Sequence, residues 1–269
     1  MELDSKVVVV TGGARGLGEV MTRRFSAAGA QVVFCDLDPE AIDRVAAEAS
    51  ATGLRADVTV EAEVRAVHDE AVDRLGQIDL WVSNAGGSVA KTLESSDTEW
   101  EAEWKLNVLS HVYAARAVLP AMLKRGEGYL LQVASSVGLA IQPDALGYSA
   151  TKRAAVAVNE WLALKYRREG INVSVFCPQG MKTPMLFAGL EAGSVASRMS
   201  LPEARSPEDA VDAVVEGLRK EQFLILLQER PLNEYRSKAV DYDKWMDDRI
   251  DEYLGVAALI ASERNEHSD

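Results

Sequence analysis

The sequence predicts one α/β domain built on a parallel sheet with helices on both faces, and three observations lead there. Short apolar, β-branched runs alternate with longer amphipathic segments: residues 7–10 then 16–28, 31–35 then 39–51, continuing past Gly170. That alternation marks βαβ units. The run at 7–10 is continuously apolar, and that at 173–176 is apolar but for Ser174, as suits strands covered on both faces. Further strands near 80–83 and 129–133 each end in a polar or small-residue cluster where the chain turns toward a helix. Sheets of this kind bind ligands at those carboxyl ends.

Helix punctuation agrees. Gly29 and Gly170 are placed to stop helices, and Ser206-Pro207-Glu208-Asp209 supplies an N-cap, a proline at the first helical position and first-turn acids. At 269 residues and 48% hydrophobic, the chain can bury a large core and reads as a single domain over 1–269, with no repeat or linker. The stretch 241–252, acidic with interleaved aromatics, reads as part of a helical appendage over 229–269. Against 42 acidic residues stand 29 basic ones, a formal charge of -13, which argues against nucleic acid or an anionic bilayer as partner. Cys35 and Cys177 are too few for a disulfide framework, so a reducing compartment, the cytoplasm, fits best. The opening MELDSKVVVVTGG lacks the layout of a signal peptide, and no run approaches a membrane span, so a soluble, unprocessed chain is expected. His68, His111 and His267 are scattered and no cysteine cluster accompanies them, which leaves no zinc site and removes a metal-dependent alcohol dehydrogenase from consideration.

Immediately after the first strand comes Thr11-Gly12-Gly13-Ala14-Arg15-Gly16-Leu17-Gly18, and then a helical pattern begins. Glycines at 12, 16 and 18 permit a tight turn and close backbone approach to a pyrophosphate, while the helix N-terminus offers free N–H groups. Asp36 closes the second strand, 20 residues after Gly16, where a carboxylate accepts from both ribose hydroxyls of an adenosine and repels a 2′-phosphate. Arg15 pulls the other way, because an arginine in this turn can pair with a 2′-phosphate. Asp36, on a fixed strand end, is weighted more heavily, so NAD(H) is the expected cofactor. Together these features make the domain a Rossmann-type doubly wound fold.

Here the sequence resembles the short-chain dehydrogenase/reductase family over nearly its whole length. Matching positions follow in order. Asp57-Val58 after the third strand resembles the pair flanking the adenine, and Asn84-Ala85-Gly86 after the fourth resembles the Asn-Ala-Gly turn, with Ser83 in place of a common first asparagine. Asp57 and Asn84 are also acceptable as ordinary turn residues.

Tyr148-Ser149-Ala150-Thr151-Lys152 opens a long amphipathic helix running to Arg168, so Tyr148 and Lys152 are i and i+4 on one face. A phenol is a poor base at neutral pH, and a neighbouring ammonium is expected to favour its phenolate. The resemblance implies that Tyr148 is the acid or base, that Lys152 tunes it and binds the ribose, and that Ser135, 13 residues upstream, holds the substrate oxygen. It further implies that Asn107, in a helical stretch, supports a water-linked proton path to the lysine. Pro178-Gln179-Gly180-Met181-Lys182-Thr183 resembles the Pro-Gly-x-x-x-Thr segment beside the nicotinamide. Gln179 stands where glycine is usual. Backbone contact at Met181 and hydroxyl contact at Thr183 carry over with Pro178.

The expected activity is hydride exchange with a secondary alcohol or ketone. Two alternatives stay open: an NADPH-linked reductase of ketones or 3-ketoacyl groups, and an NAD-binding regulatory protein without the chemistry. The apolar segment Pro184-Met185-Leu186-Phe187-Ala188-Gly189-Leu190 lies in a substrate lid over 184–205, mobile in family members; its apolar side chains point to a bulky lipophilic, steroid-like substrate, the alternative being that they pack the lid against the domain or a neighbouring subunit. The resemblance also implies a homo-oligomer, dimer or tetramer, through the helix of Tyr148 and the one before it. The charged tail from Glu229 replaces the family's glycine-rich close.

Overall fold

The computed structural model describes residues 1–266; His267 and the end of the acidic tail lie outside them. In chain order the first half runs β1 (Val7–Thr11), α1 (Gly16–Ala27), β2 (Gln31–Asp36), α2 (Pro39–Ala49), β3 (Thr52–Arg55), α3 (Glu61–Leu75), β4 (Leu80–Ser83) and α4 (Asp97–Trp104). A π turn at Lys105–Leu109 leads into α5 (Ser110–Arg125), then β5 (Gly128–Val133), α6 (Leu146–Tyr166) and β6 (Ile171–Phe176). The rest is α7 (Pro184–Glu191), α8 (Val195–Ser200), α9 (Pro207–Arg219), β7 (Leu224–Ile225), α10 (Arg230–Val240) and α11 (Tyr242–Glu266). The strands form one parallel sheet in the order β3-β2-β1-β4-β5-β6-β7.

The continuous apolar strands are explained by the two cores. Val8 and Val10 face one core with Phe25, Phe34, Val214 and Leu218, while Val7 and Val9 face the other with Val67, Trp81, Val118 and Leu162. Each strand residue therefore removes apolar area from water whichever way it points, worth roughly 1.5–3 kcal/mol for a fully buried side chain. Asp79 ties the amino-terminal edge, accepting from the backbone N–H of Val7 at 2.8 Å.

The order of the strands fixes where a ligand can lie. The chain winds outward through β1, β2 and β3, then crosses back to start β4 on the other side of β1. Between the carboxyl ends of β1 and β4 the following segments diverge and leave a crevice. The glycine turn follows β1 there, and the Asn-Ala-Gly turn follows β4.

Helix ends match the sequence where capping chemistry is explicit. Ser206 and Asp209 form a reciprocal capping box with Pro207 in the first turn, and Gly170 takes φ +85° at the end of the short 3-10 turn closing α6. Two expectations are corrected. Asn107 lies in a π turn rather than a regular helix. The run α4–π–α5 over 97–125 is long and apolar enough to cross a membrane by length and composition; half of it is buried, and α5 packs on α3, β4 and β5, so its apolarity serves the core. The described part of the tail is helical over Arg230–Val240 and Tyr242–Glu266: Trp245 is buried, and an ion network links Arg230, Glu234, Arg249 and Glu252 across α10 and α11.

Candidate active site

The glycine turn is shaped by close backbone approach. Gly12 has φ +64° and Gly16 φ +53°, conformations that side chains rarely adopt. A Cβ at Gly18 would lie 2.0 Å from the carbonyl oxygen of Gly12 and 2.5 Å from Nδ2 of Asn84, so that position admits only glycine. Above Gly16 a Cβ would meet nothing within 4 Å, which leaves open space beside the N-terminus of α1. This is a cradle of the kind a pyrophosphate needs. Ala14 and Leu17 are buried beneath it.

Asn84 does more than turn the chain. Its Nδ2 donates to the carbonyls of Thr11 and Gly12 at 3.0 and 3.1 Å, and its own N–H donates to the Thr11 hydroxyl at 3.0 Å, as does that of Ala85 at 3.2 Å. The turn after β4 is thereby stitched to the turn after β1. Asp36 is held from below: Oδ2 accepts from the N–H of Ala14 at 3.1 Å and Oδ1 from that of Leu37 at 2.8 Å. Its carboxylate keeps free lone pairs, so the acid at this strand end fits an adenosine ribose. The exposed Arg15 reaches Oδ1 of Asp36 at 3.7 Å, so the two residues read as rivals are partners here.

Asp57 and Val58 are placed differently from each other. The Asp57 carboxylate accepts from the N–H and hydroxyl of Thr59, a local turn before α3. The Val58 side chain is buried in the core, so only its backbone is available to an adenine.

At the other end of the crevice four residues converge. Lys152 is buried, and its Nζ donates to the carbonyl of Val133 at 2.9 Å and stands 5.6 Å from the centroid of the Tyr148 ring. Burial brings the Lys152 ammonium down to about 8. Ser135 is buried two residues past the end of β5, capping a 3-10 turn at Ser136–Gly138, and its hydroxyl acts on the Tyr148 phenol. Asn107 is fully buried: Nδ2 donates to the Gly87 carbonyl at 2.8 Å and approaches the Thr151 hydroxyl at 3.1 Å, while Oδ1 accepts from the Gly87 N–H at 3.1 Å. A Cβ at Gly86 would lie 2.9 Å from the lysine Nζ and 3.1 Å from the Asn107 Oδ1, so Lys152, Asn107 and the loop after β4 meet at one point.

One electrostatic expectation is corrected. The Tyr148 phenol is pushed up to about 12, not down, because burial removes water from its ionised form; the Ser135 hydroxyl draws it back, and the nearby Glu103 carboxylate adds to the rise. The lysine, itself desolvated and engaged by Val133, does not offset that burial.

The loop after β6 has a defined path. The carbonyl of Pro178 accepts from the Ser136 N–H at 2.8 Å, Met181 bridges Arg205, and the Thr183 N–H donates to the Met181 carbonyl at 2.7 Å. Gln228, just past β7, holds this loop: Oε1 accepts from the Gln179 N–H at 3.1 Å, and Nε2 donates to the carbonyls of Gly180 and Glu203 at 3.2 and 3.1 Å. Sequence reading missed it, since a glutamine after a short strand carries no local signal.

The chain matches the family model described as short chain dehydrogenase over residues 6–191. The chain belongs to the short-chain dehydrogenase/reductase family. It is 36% identical to 1-deoxy-11-beta-hydroxypentalenate dehydrogenase of Streptomyces exfoliatus over 84% of each chain. With meso-2,3-butanediol dehydrogenase of Serratia marcescens it shares 34% identity over 78% of this chain and 85% of the relative. A solved short chain dehydrogenase/reductase from Burkholderia phymatum, in complex with NAD, superposes with a TM-score of 0.82 at 26% identity, covering 90% of this chain and 96% of that one. This short-chain dehydrogenase/reductase is thus an oxidoreductase of alcohol- and ketone-type substrates, on a Rossmann fold.

The region after Thr183 is more constrained than a free lid. Ser194 donates to Asp144 Oδ2 at 2.7 Å and the Ala196 N–H to the same carboxylate at 3.2 Å, which fixes the start of α8 against Asp144, itself four residues before Tyr148 in sequence. Arg198 pairs with Glu263, and Arg264 donates to the Ala192 carbonyl, so α11 braces the α7–α8 hairpin. Ser194 is an anchor, not slack. Leu186 is buried in the domain, while Met185 and Phe187 stand exposed.

Proposed function

We propose that this enzyme interconverts a secondary alcohol and a ketone with NAD(H), Tyr148 exchanging the proton. The observation that supports the reading best is the convergence of Ser135, Tyr148, Lys152 and Asn107 at the same sheet edge as the glycine cradle. When bound, the oxidised cofactor would supply a hydride acceptor and a positive nicotinamide ring, a charge that would favour the Tyr148 phenolate. In this reading Ser135 holds the reacting oxygen, Tyr148 takes or gives its proton, and Lys152 bridges the ribose to the Asn107 end of the site. Met181 and Thr183, on the loop held by Gln228, would hold the nicotinamide.

Preference for NAD rests on Asp36. Asp36→Ala releases Arg15 from its partner and removes the charge that repels a 2′-phosphate, so the ratio of catalytic efficiencies, NAD over NADP, is expected to fall by about 10–100-fold, as loss of about 1.4–2.7 kcal/mol of discrimination gives. A wild type that already prefers NADP overturns the assignment.

For the substrate we propose a bulky lipophilic alcohol or ketone. Met185 and Phe187, exposed on α7, and the half-buried Leu190 offer apolar surface to it. Leu186 belongs to the domain's own packing. A panel of secondary alcohols graded from polyols to fused rings, followed by NADH release, is expected to show efficiency rising toward the fused rings. Higher efficiency on polyols defeats the lid argument, and no turnover of any member leaves the NAD-binding regulatory reading.

We also propose a homo-oligomer through α5 and α6. Between these helices runs an open apolar groove lined by Val112, Leu119, Pro120, Leu123, Val158 and Trp161, and Leu164 beyond it is 88% exposed. A patch of that kind asks for a partner. A monomeric mass in solution refutes it.

A further inference from the structure

A buried carboxylate stands beside the candidate proton path without touching the cofactor cradle. Glu103, at the end of α4, is fully buried. Its Oε2 accepts from the backbone N–H groups of Val89 at 3.0 Å and Ala90 at 2.6 Å, and its Oε1 faces Nδ2 of Asn107 at 3.4 Å. All of these donors are neutral. A Cβ at Gly147, next to Tyr148, would lie 2.9 Å from Oε2, and the Gly147 N–H donates to the Ala90 carbonyl at 3.0 Å. Glu103 is therefore wedged between the loop after β4, the Asn107 amide and the first turn of α6.

An apolar side chain would leave the Val89 and Ala90 N–H groups without an acceptor, whereas a neutral amide could serve them without the desolvation cost of a carboxylate. The charge itself has an effect, and the surrounding groups show on what. From α6 come Tyr148 and Lys152; the buried Cys177, after β6, and His111 on α5 complete the titratable groups around them. Lys91 in the loop and Glu99, Glu101 and Lys105 near its own helix are exposed. We propose that Glu103 is a positioning residue: a buried charge that locks the loop at 87–90 and the Asn107 amide against the first turn of α6, beside Tyr148 and Lys152.

The sign is the same for both partners and gives the proposal its signature. A negative charge favours ammonium over amine and phenol over phenolate. Burial raises the Glu103 carboxyl itself, while the Val89 and Ala90 N–H groups draw it down and keep the ionised form accessible. Removing the charge moves the titrations of Tyr148 and Lys152 to lower pH together, whereas a loop that merely loosened would lower activity at every pH without moving either.

This inference rests on the oxidoreductase reading, so its test has an arm without substrate. In Glu103→Gln, both limbs of the kcat–pH profile for alcohol oxidation are expected to shift down by roughly one unit, with NADH affinity within about twofold of wild type. Without substrate, the alkaline phenolate absorbance that Tyr148→Phe removes from wild type should appear roughly one unit lower in the Glu103→Gln background than in wild type. Glu103→Asp, which retains the charge, should restore both positions; Glu103→Met carries the same expectation as the glutamine if that variant does not fold. Unmoved limbs and an unmoved phenolate signal in a folded neutral variant overturn the proposal, as do limbs that move in Glu103→Asp as far as in Glu103→Gln. Absence of turnover in wild type defeats the oxidoreductase reading alone, because the absorbance titration still decides the role of Glu103.

Discussion

Tyr148→Phe is expected to lower kcat by about 10³-fold or more while NADH binds within about twofold of wild type, since one positioned acid or base contributes about 10²–10⁴. The substitution removes one oxygen and little volume, and the Lys152 Nζ keeps its bond to the Val133 carbonyl, so the lysine end of the crevice stays in place. What disappears is the proton carrier. In the cofactor-free chain that phenol sits near about 12, so at neutral pH it is in the donating form that ketone reduction needs. Oxidation needs the phenolate and the Lys152 ammonium at once, so its rate is expected to rise and then fall with pH, with both limbs set by the cofactor-bound complex. Steady-state kinetics in both directions, with NADH affinity from fluorescence, check this. Turnover within about tenfold of wild type in the phenylalanine variant would remove Tyr148 from the chemistry.

The parts of this molecule that were legible in the sequence are those where one local pattern has one physical solution. Two-faced burial forces continuous apolar strands, so β1 could be read directly, and the box Ser206–Asp209 announces its helix. The crevice followed from the glycine turn and Asp36, since chain order fixes the switch point. What was not legible depends on contacts distant along the chain. Gln228 reaches back 48 residues to Gly180, and Glu103 gains its meaning only when the loop after β4 folds over it. The π turn around Asn107 is likewise a tertiary outcome: apolar spacing through 104–110 reads as helix, and the extra residue lets the amide face Gly87. The Tyr148 titration went the other way from expectation because spacing alone measures proximity of charge and says nothing of water removed. The same holds for Leu186, whose place in the apolar segment matched its neighbours while its burial did not.

Lys152→Met is expected to abolish turnover and yet stabilise the cofactor-free protein at neutral pH. The ammonium is held in the interior, its titration brought from an ordinary 10.5 to about 8 by desolvation. The sign follows from linkage. Above about 10.5 the lysine is neutral in folded and unfolded chains alike and costs nothing. As pH falls from there the unfolded chain takes up the proton first, so folding is penalised progressively until the folded group also protonates near about 8, and below that the full penalty remains. At 1.36 kcal/mol per unit the upper bound is about 3 kcal/mol, from which the lost hydrogen bond to the Val133 carbonyl subtracts about 1 kcal/mol. A gain of about 1–2 kcal/mol at pH 7, shrinking through the window from about 8 to 10.5, is the expected result in denaturant titrations at several pH values. The same variant should bind NADH more weakly, since the ammonium that would hold the ribose is gone. A gain that persists unchanged above pH 10.5 would point to better packing of the methionine, and a loss of stability at pH 7 would show that the ammonium already sits in a compensated site. Retention of the lysine against its own folding cost is what a site kept for chemistry requires, and this variant measures that cost directly.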